Sequence, residues 1–164
     1  MLELIAKAGA ESVDDVVDDT VVLPYALRQK SRQRVQLASG REAAILLAPG
    51  SHLHDGDRLH AADGTAVRVT AATEAVSTAR TDEPLRFARA CYHLGNRHVP
   101  LQIGAGWVRY QPDHVLDDMV RGLGLTVAPE TVAFEPERGA YHGQSHGRAH
   151  SHSHAHGVAD GHHH

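Results

Sequence analysis

The sequence predicts an α+β protein in three parts. These are a small all-β domain over residues 1–72, a ferredoxin-like βαββαβ domain over residues 73–140, and a disordered tail over residues 141–164. Short apolar runs between glycine turns indicate the first part. Two helical apolar repeats set between strands indicate the second. The tail lacks any periodic apolar pattern and consists largely of histidine, glycine, serine and alanine, so it cannot bury enough surface to order itself.

The first part is predicted to contain several short strands. Residues 1–5 form a candidate first strand, and Pro24 ends the apolar run at 21–23. Ser39-Gly40 separates two further strand patterns, as in a hairpin, and residues 65–70 alternate as another strand. Short strands with glycine turns at this spacing predict a small β-sandwich or barrel.

Four cationic residues alternate along one segment of this part. An extended backbone would place them on a single face: Arg28, Lys30, Arg32 and Arg34. Such a strip is typical of a solvated edge strand protected against aggregation. It could instead serve as a docking strip for an acidic partner surface, although the edge-strand interpretation is favoured.

Helix signals define the second part. Thr81 or Asp82 is predicted to cap a first helix, with Pro84 in its first turn. Asp113 is predicted to cap a second helix that ends at Gly124. Strands are predicted before the first helix, between the helices and after the second, which gives the order β-α-β-β-α-β.

His98 lies in the most constrained stretch of the chain. Gly95 is predicted to end the first helix in the left-handed conformation, and Pro100 holds the preceding residue extended. His98 could hydrogen-bond a neighbouring carbonyl, or it could bind a transition metal. One histidine makes no tight site, since stable sites take about four ligands. A two-fold axis near His98 would supply a second copy.

The tail holds nine of the 15 histidines. Its core, with His150, His152, His154 and His156, indicates flexible chelation of Ni(II), Cu(II) or Zn(II), and Cu(II) should bind tightest. The last three residues alone would fit a tag remnant, whereas the interspersed histidines read as native. His114, at a predicted helix start, is a candidate secondary ligand that the helix dipole keeps neutral. The pair in His52-Leu53-His54 could clip a metal, although a loop is favoured there.

Composition excludes several classes of function. The formal net charge of −4 argues against nucleic acid as a partner, and no apolar run reaches the ~20 residues of a membrane span. The single cysteine excludes an internal disulfide, which favours a cytoplasmic setting. Phosphate-loop, His-Glu-x-x-His and G-x-S-x-G motifs are missing, so we expect no enzyme activity.

The chain resembles the urease accessory protein UreE family of nickel metallochaperones over essentially its whole length. The first half contributes residues 28–34, and residues 47–50 together with 55–57. The most specific match is Tyr92-His93-Leu94-Gly95-Asn96-Arg97-His98-Val99-Pro100-Leu101-Gln102. Residues 113–119 and the histidine-rich tail complete the resemblance.

The resemblance implies a homodimer in which two His98 side chains hold one nickel ion. It also implies a peripheral site at His114 and completion of the central site by tail residues, of which His142 is nearest. Pro112 stands where relatives can have a second peripheral histidine, so a strong paired site there is doubtful. Nickel would pass to a GTPase and, through the accessory complex, to apo-urease. Metal storage is the leading alternative; a metallohydrolase and a peptide-binding chaperone are weaker ones.

Overall fold

A computed structural model describes residues 1–10 and 16–139 of the chain. Within those residues, ten strands and three helices follow one another as β1 (Leu2–Ala8), β2 (Asp19–Leu23), α1 (Tyr25–Arg28), β3 (Arg32–Gln36), β4 (Glu42–Leu46), β5 (Arg58–Ala61), β6 (Ala66–Ala71), β7 (Thr73–Arg80), α2 (Pro84–Gly95), β8 (Gln102–Gly104), β9 (Trp107–Tyr110), α3 (His114–Gly122) and β10 (Thr126–Ala133). The predicted α+β class is confirmed, with two sheets and few helices.

The first six strands form one mixed sheet in the order β2-β6-β5-β1-β4-β3. Two of its pairings, β1 with β4 and β2 with β6, are parallel. The edge strands approach at one end, where the Ala38 N–H donates to the Thr20 carbonyl at 2.8 Å. The sheet therefore curls towards a barrel. Its aliphatic core is built largely from the apolar positions of the strands, including Leu4, Val21, Ile45, Leu59 and Val67.

The other four strands form an antiparallel sheet in the order β10-β7-β9-β8. Numbered within this part alone, the order is 4-1-3-2, as the predicted split βαββαβ unit requires. Ala90 and Leu94 of α2 and Leu116 and Val120 of α3 are buried against the sheet. Both helices thus hold their apolar stripe inward, and their remaining faces are open to solvent.

The cationic segment of the first part does not form the single extended face that its alternation predicts. Arg28 lies in α1, a short helix that the sequence reading missed, and its side chain is 1% exposed. Arg32 and Arg34 are exposed on β3, an edge strand of the first sheet. The prediction fails because Pro24 begins a helical turn there.

Arg28 joins the first sheet to the chain that follows β10. Its guanidinium donates to the Leu23 carbonyl at 3.1 Å, to the Glu135 carboxylate and to the Phe134 carbonyl. The ring of Phe134 is fully buried and meets Tyr25 edge-on at 5.5 Å. A buried guanidinium with three acceptors is well compensated, so this contact fixes the two parts against each other.

Several helix boundaries match the sequence signals. Pro84 is the first residue of α2, although Glu83 occupies the N-cap position in place of Thr81 or Asp82. The Asp113 carboxylate caps α3 by accepting from the N–H groups of Val115 and Leu116, as predicted. Gly124 follows α3 with φ +94°, which confirms it as the residue that ends the helix.

No helix in the described ranges is long and apolar enough to cross a membrane.

Candidate metal centre

His98 ends the turn that follows α2, and it takes the backbone conformation predicted for Gly95. Gly95 remains in the helix without a positive φ, whereas His98 has φ +54°. The helix tightens first, because the Arg97 N–H bonds the Leu94 carbonyl at 3.1 Å and the His98 N–H bonds the Gly95 carbonyl at 3.0 Å. The chain therefore reverses three residues later than the glycine signal indicates.

The turn holds His98 between two buried anchors. Leu94, four residues before it, is fully buried, and Leu101, three residues after it, is 9% exposed. The imidazole itself belongs to an exposed residue. The backbone of His98 is fixed on both sides, and its side chain is open to solvent. A surface side chain that two chains share as a metal ligand needs both properties. The left-handed conformation of a residue with a Cβ is strained by roughly 1–2 kcal/mol.

His98 does not find the rest of a metal site within its own chain. Among the residues that the structure describes, no three histidine, cysteine or carboxylate side chains lie close enough to hold an ion. His93, on the preceding helix, is exposed and stacks edge-on with Tyr92 at 5.2 Å between ring centres. Any tight site at His98 therefore needs ligands from a second chain or from residues outside the described part.

His114 is the first residue of α3, and it is exposed as well. Its helix begins rigidly, because Asp113 caps it and the Tyr110 hydroxyl donates to the Asp117 carboxylate at 2.7 Å. Tyr110 is fully buried, and burial together with Asp117 raises its pKa strongly. The hydroxyl therefore stays protonated and keeps its hydrogen bond. Among the described residues, His98 and His114 belong to no group of three or more side chains that could hold a metal ion.

The remaining candidate ligands, His142, His150, His152, His154 and His156, lie outside the described residues. The chain leading to them is placed, however. The Glu137 N–H donates to the Leu101 carbonyl at 2.8 Å, and the Glu135 N–H donates to the Gln102 side chain at 3.1 Å. Residues 135–139, which we call the tail root, thus run beside the segment that carries His98. His142 follows Glu137 by five residues, a reach of about 17 Å when extended.

Sequence reasoning missed the junction between the two parts. Arg28 and Glu135 are 107 residues apart, and no local pattern pairs them. The His52 and His54 pair was noticed in the sequence, but its position against the tail root was not. The one available signal was the alternation around Leu53. An apolar residue between two polar ones indicates that Leu53 and the two histidines lie on opposite faces of the chain.

Comparison with known families places the chain as a whole. The family model described as UreE urease accessory protein, C-terminal domain, matches residues 74–164, and the corresponding N-terminal domain model matches residues 2–72. The chain belongs to the UreE family. This membership confirms the resemblance drawn from residues 92–102.

Relatives named urease accessory protein UreE agree with this assignment. One from Alkalilimnicola ehrlichii is 64% identical over 126 residues, which cover 77% of each chain. Another from Teredinibacter turnerae is 55% identical over 143 residues, or 87% of this chain and 92% of the relative. One from Aliivibrio fischeri is 48% identical over 145 residues, or 88% of this chain and 83% of the relative. The similarity therefore extends through both UreE domains.

Proposed function

We propose that this UreE family member is a nickel metallochaperone that delivers Ni(II) for assembly of the urease metal centre. It acts as a homodimer in the cytoplasm, and the two His98 side chains hold one ion at the dimer axis. The observation that carries this proposal is the exposed His98 in a strained, doubly anchored turn. Strain at a residue with an open side chain is a feature of functional sites.

The exposed side of α2 supports a dimer interface close to His98. Leu85 is 58% exposed and Tyr92 is 66% exposed, and Ala88 between them is exposed as well. Their spacing puts all three on one stripe of the helix, which leads towards the turn of His98. A contiguous exposed apolar patch is typical of surfaces that bind a partner. A two-fold contact through this stripe would bring the two turns together.

The mechanism is ligand exchange without catalysis. Two neutral imidazoles suit Ni(II) but leave coordination positions free. A tail histidine can fill one of them, because the tail root lies beside Leu101. A partner that offers further ligands can then remove the ion stepwise. His114 would serve as a peripheral ligand and the tail would gather ions at high local concentration. Zn(II) and Cu(II) would bind the same imidazoles, so partner contacts must select nickel.

The receiving partner is the GTPase of urease maturation, which acts with the accessory complex on apo-urease. Transfer of the ion to this partner distinguishes a chaperone from a storage protein. A storage protein needs capacity for metal ions, but it does not need to transfer them. The test is activation of apo-urease under limiting nickel by the nickel-loaded chain and the GTPase. Wild type and His93→Ala, a nearby exposed histidine, should both activate, and His98→Ala should be at least tenfold slower. Equal activation by His98→Ala would overturn the proposal.

Deletion of residues 143–164 separates the tail from the central site. The shortened chain should bind fewer nickel ions but keep one per dimer, because His98 and His142 remain. Equilibrium dialysis with a competing chelator measures both numbers. Complete loss of tight nickel from the shortened dimer would contradict a site built on His98.

A further inference from the structure

The strand β3 lies at one edge of the first sheet and pairs on one side only. β4 bonds that side over the whole strand, Arg32–Gln36. β2, the opposite edge strand, meets β3 only beyond its end, where the Ala38 N–H bonds the Thr20 carbonyl at 2.8 Å. The second side of β3 therefore has no partner strand in the part of the chain that the structure describes.

Alternate residues of β3 direct their backbone groups towards this unpaired side. At one end of the hairpin, the Leu37 N–H bonds the Arg41 carbonyl at 2.9 Å. At the other end, the Leu47 N–H bonds the Ser31 carbonyl at 2.9 Å. The odd-numbered residues thus form the ladder with β4, and the even-numbered ones point their N–H and C=O groups away from it. The latter are all exposed, namely Arg32, Arg34 and Gln36.

The two arginines of this edge are cations without a counterion. Arg32 and Arg34 lie two residues apart, so both side chains stand on the outer face of the sheet. Neither forms an ion pair or a side-chain hydrogen bond with any residue in the described ranges. The carboxylates of the same face, Glu42 on β4 and Glu3 on β1, lie one and two strands further in. The charge at the edge is therefore positive, although the whole chain carries −4.

Apolar surface lies beside the two arginines. Leu46 is opposite Arg32 and partly exposed, and Ile5 on the neighbouring strand β1 is 49% exposed. Towards the other end of β3, a hollow of about 300 Å³ is lined by Met1, Arg34, Val35, Gln36, Glu42 and Ala43. Protection against aggregation requires the charges alone. Backbone groups, cations and apolar surface together are what recognition of a peptide by strand addition uses.

The charges determine which strand can be added. A second copy that paired through β3 would bring its own arginines against Arg32 and Arg34, and like charges on adjacent strands are destabilising. A strand with carboxylates at alternate positions would instead place them beside the two guanidiniums, about 5 Å away across the ladder. The edge therefore disfavours a second copy of the chain and suits an acidic strand.

We propose that the unpaired edge of β3 binds an extended acidic segment of a partner protein by strand addition. The segment exchanges backbone hydrogen bonds with Arg32, Arg34 and Gln36, and its alternate carboxylates pair with the two guanidiniums. Its intervening side chains lie on the face of Val35, which packs against the first core. The site uses residues of the first part only, so this inference does not rest on the proposed nickel cargo.

A synthetic peptide and the full-length chain test the site directly. The probe is a fluorescent peptide of about ten residues that alternates glutamate with valine, long enough to span β3. Fluorescence anisotropy at low ionic strength measures its affinity. Arg32→Glu/Arg34→Glu should bind the peptide at least tenfold more weakly than wild type, because two attractive contacts become repulsive.

Arg86→Glu/Arg89→Glu is the matched control, because it makes the same change of charge at two exposed residues of α2. This variant should bind the peptide as wild type does. Equal weakening in both variants would show a general effect of net charge and would overturn the edge site. The same affinity in all three chains, or no binding to wild type, would overturn it as well.

A second peptide separates strand addition from attraction by charge alone. Replacing every valine with proline keeps the carboxylates but removes the backbone donors at those positions and prevents regular pairing. This peptide should bind wild type at least tenfold more weakly than the valine peptide. Equal binding of the two peptides would mean that the arginines attract any acidic chain, which would contradict strand addition.

Hydrogen exchange read by NMR in the wild-type chain does not depend on variant folding. The valine peptide should slow exchange of the Arg32, Arg34 and Gln36 amides at least fivefold and leave the ladder amides of Gln33 and Val35 unchanged. Uniform protection along β3, or none, would contradict the proposed pairing. A change of oligomeric state in Arg32→Glu/Arg34→Glu, measured by analytical ultracentrifugation, would assign the edge to a second copy and overturn the acidic partner.

Discussion

The two parts of the molecule make their sharp turns in different ways. In the described residues of the first part, glycine occupies every position with positive φ, namely Gly40, Gly50, Gly56 and Gly64. The second part does the same at Gly106 and Gly124, but it places His98 at φ +54°. Glycine adopts this conformation without a steric penalty, whereas histidine does not. His98 therefore accepts strain that the other turns avoid.

This difference points to the side chain of His98 as the reason for its position. A glycine there would make the same reversal with less strain, and two glycines elsewhere in the same part do so. The imidazole is exposed and contributes nothing to the core. Under the proposed function, the turn of His98 presents a metal ligand, and this role would explain why a residue with a side chain stands where glycine would be less strained.

The largest expected effect comes from separating the two parts at Arg28. Arg28→Met removes the guanidinium that donates to the Leu23 and Phe134 carbonyls and to the Glu135 carboxylate. The free energy of unfolding should fall by about 3 kcal/mol, as for other broken buried pairs. Urea denaturation measures this value and shows whether the parts then unfold in two steps.

Arg34→Met is the matched control, because Arg34 is exposed on the edge strand β3. Its unfolding free energy should change by no more than about 0.5 kcal/mol. A similar loss in both variants would show that Arg28 does not join the parts.

A smaller effect tests whether positive φ is strained in the first part. A Cβ at Gly64 would meet no atom within 4 Å, so Gly64→Ala changes the backbone energy and nothing else. Gly9 has equal space and no positive φ, which makes Gly9→Ala the control. Gly64→Ala should be less stable than Gly9→Ala by about 1 kcal/mol in thermal unfolding. Equal stability would remove the basis for calling His98 strained.

The smallest effect is expected at the turn of His98 itself. His98→Gly removes backbone strain from the folded state but raises the conformational entropy of the unfolded chain. Because the two effects oppose each other, the free energy of unfolding should stay within about 0.5 kcal/mol of wild type. Arg97→Gly, in the same turn without positive φ, gains no relief and should cost about 1 kcal/mol. Chemical denaturation distinguishes them. A larger loss in His98→Gly than in Arg97→Gly would contradict strain at His98.

Much of the fold followed from local signals in the sequence. Asp113 and Gly124 bracket α3 because capping and helix termination depend on neighbouring backbone groups. The strand pairing through Ser39-Gly40 is likewise local, and β3 and β4 pair as the hairpin signal indicates. The prediction that Gly95 ends its helix in the left-handed conformation was wrong, because the helix tightens for one more turn around the buried Leu94. Helix ends are set partly by packing, which no local pattern records.

The candidate site was predictable only in part. His98 stood out through Gly95 and Pro100, and its exposure agrees with a ligand role. The contact between Arg28 and Glu135 did not stand out in the sequence, because the two residues meet only after both sheets have formed. Sequence patterns thus identified the candidate histidines, whereas tertiary contacts determine which of them lie near the tail root.

The most direct test of the central claim counts tight nickel ions per dimer. Wild type, His98→Ala and the exposed-histidine control His93→Ala are dialysed against a chelator strong enough to strip the weaker sites. Analytical ultracentrifugation gives the oligomeric state of each sample. We predict one retained ion per dimer for wild type and His93→Ala, and none for a dimeric His98→Ala. An ion retained by His98→Ala, or a monomeric wild type, would contradict a metal centre shared by two His98 side chains.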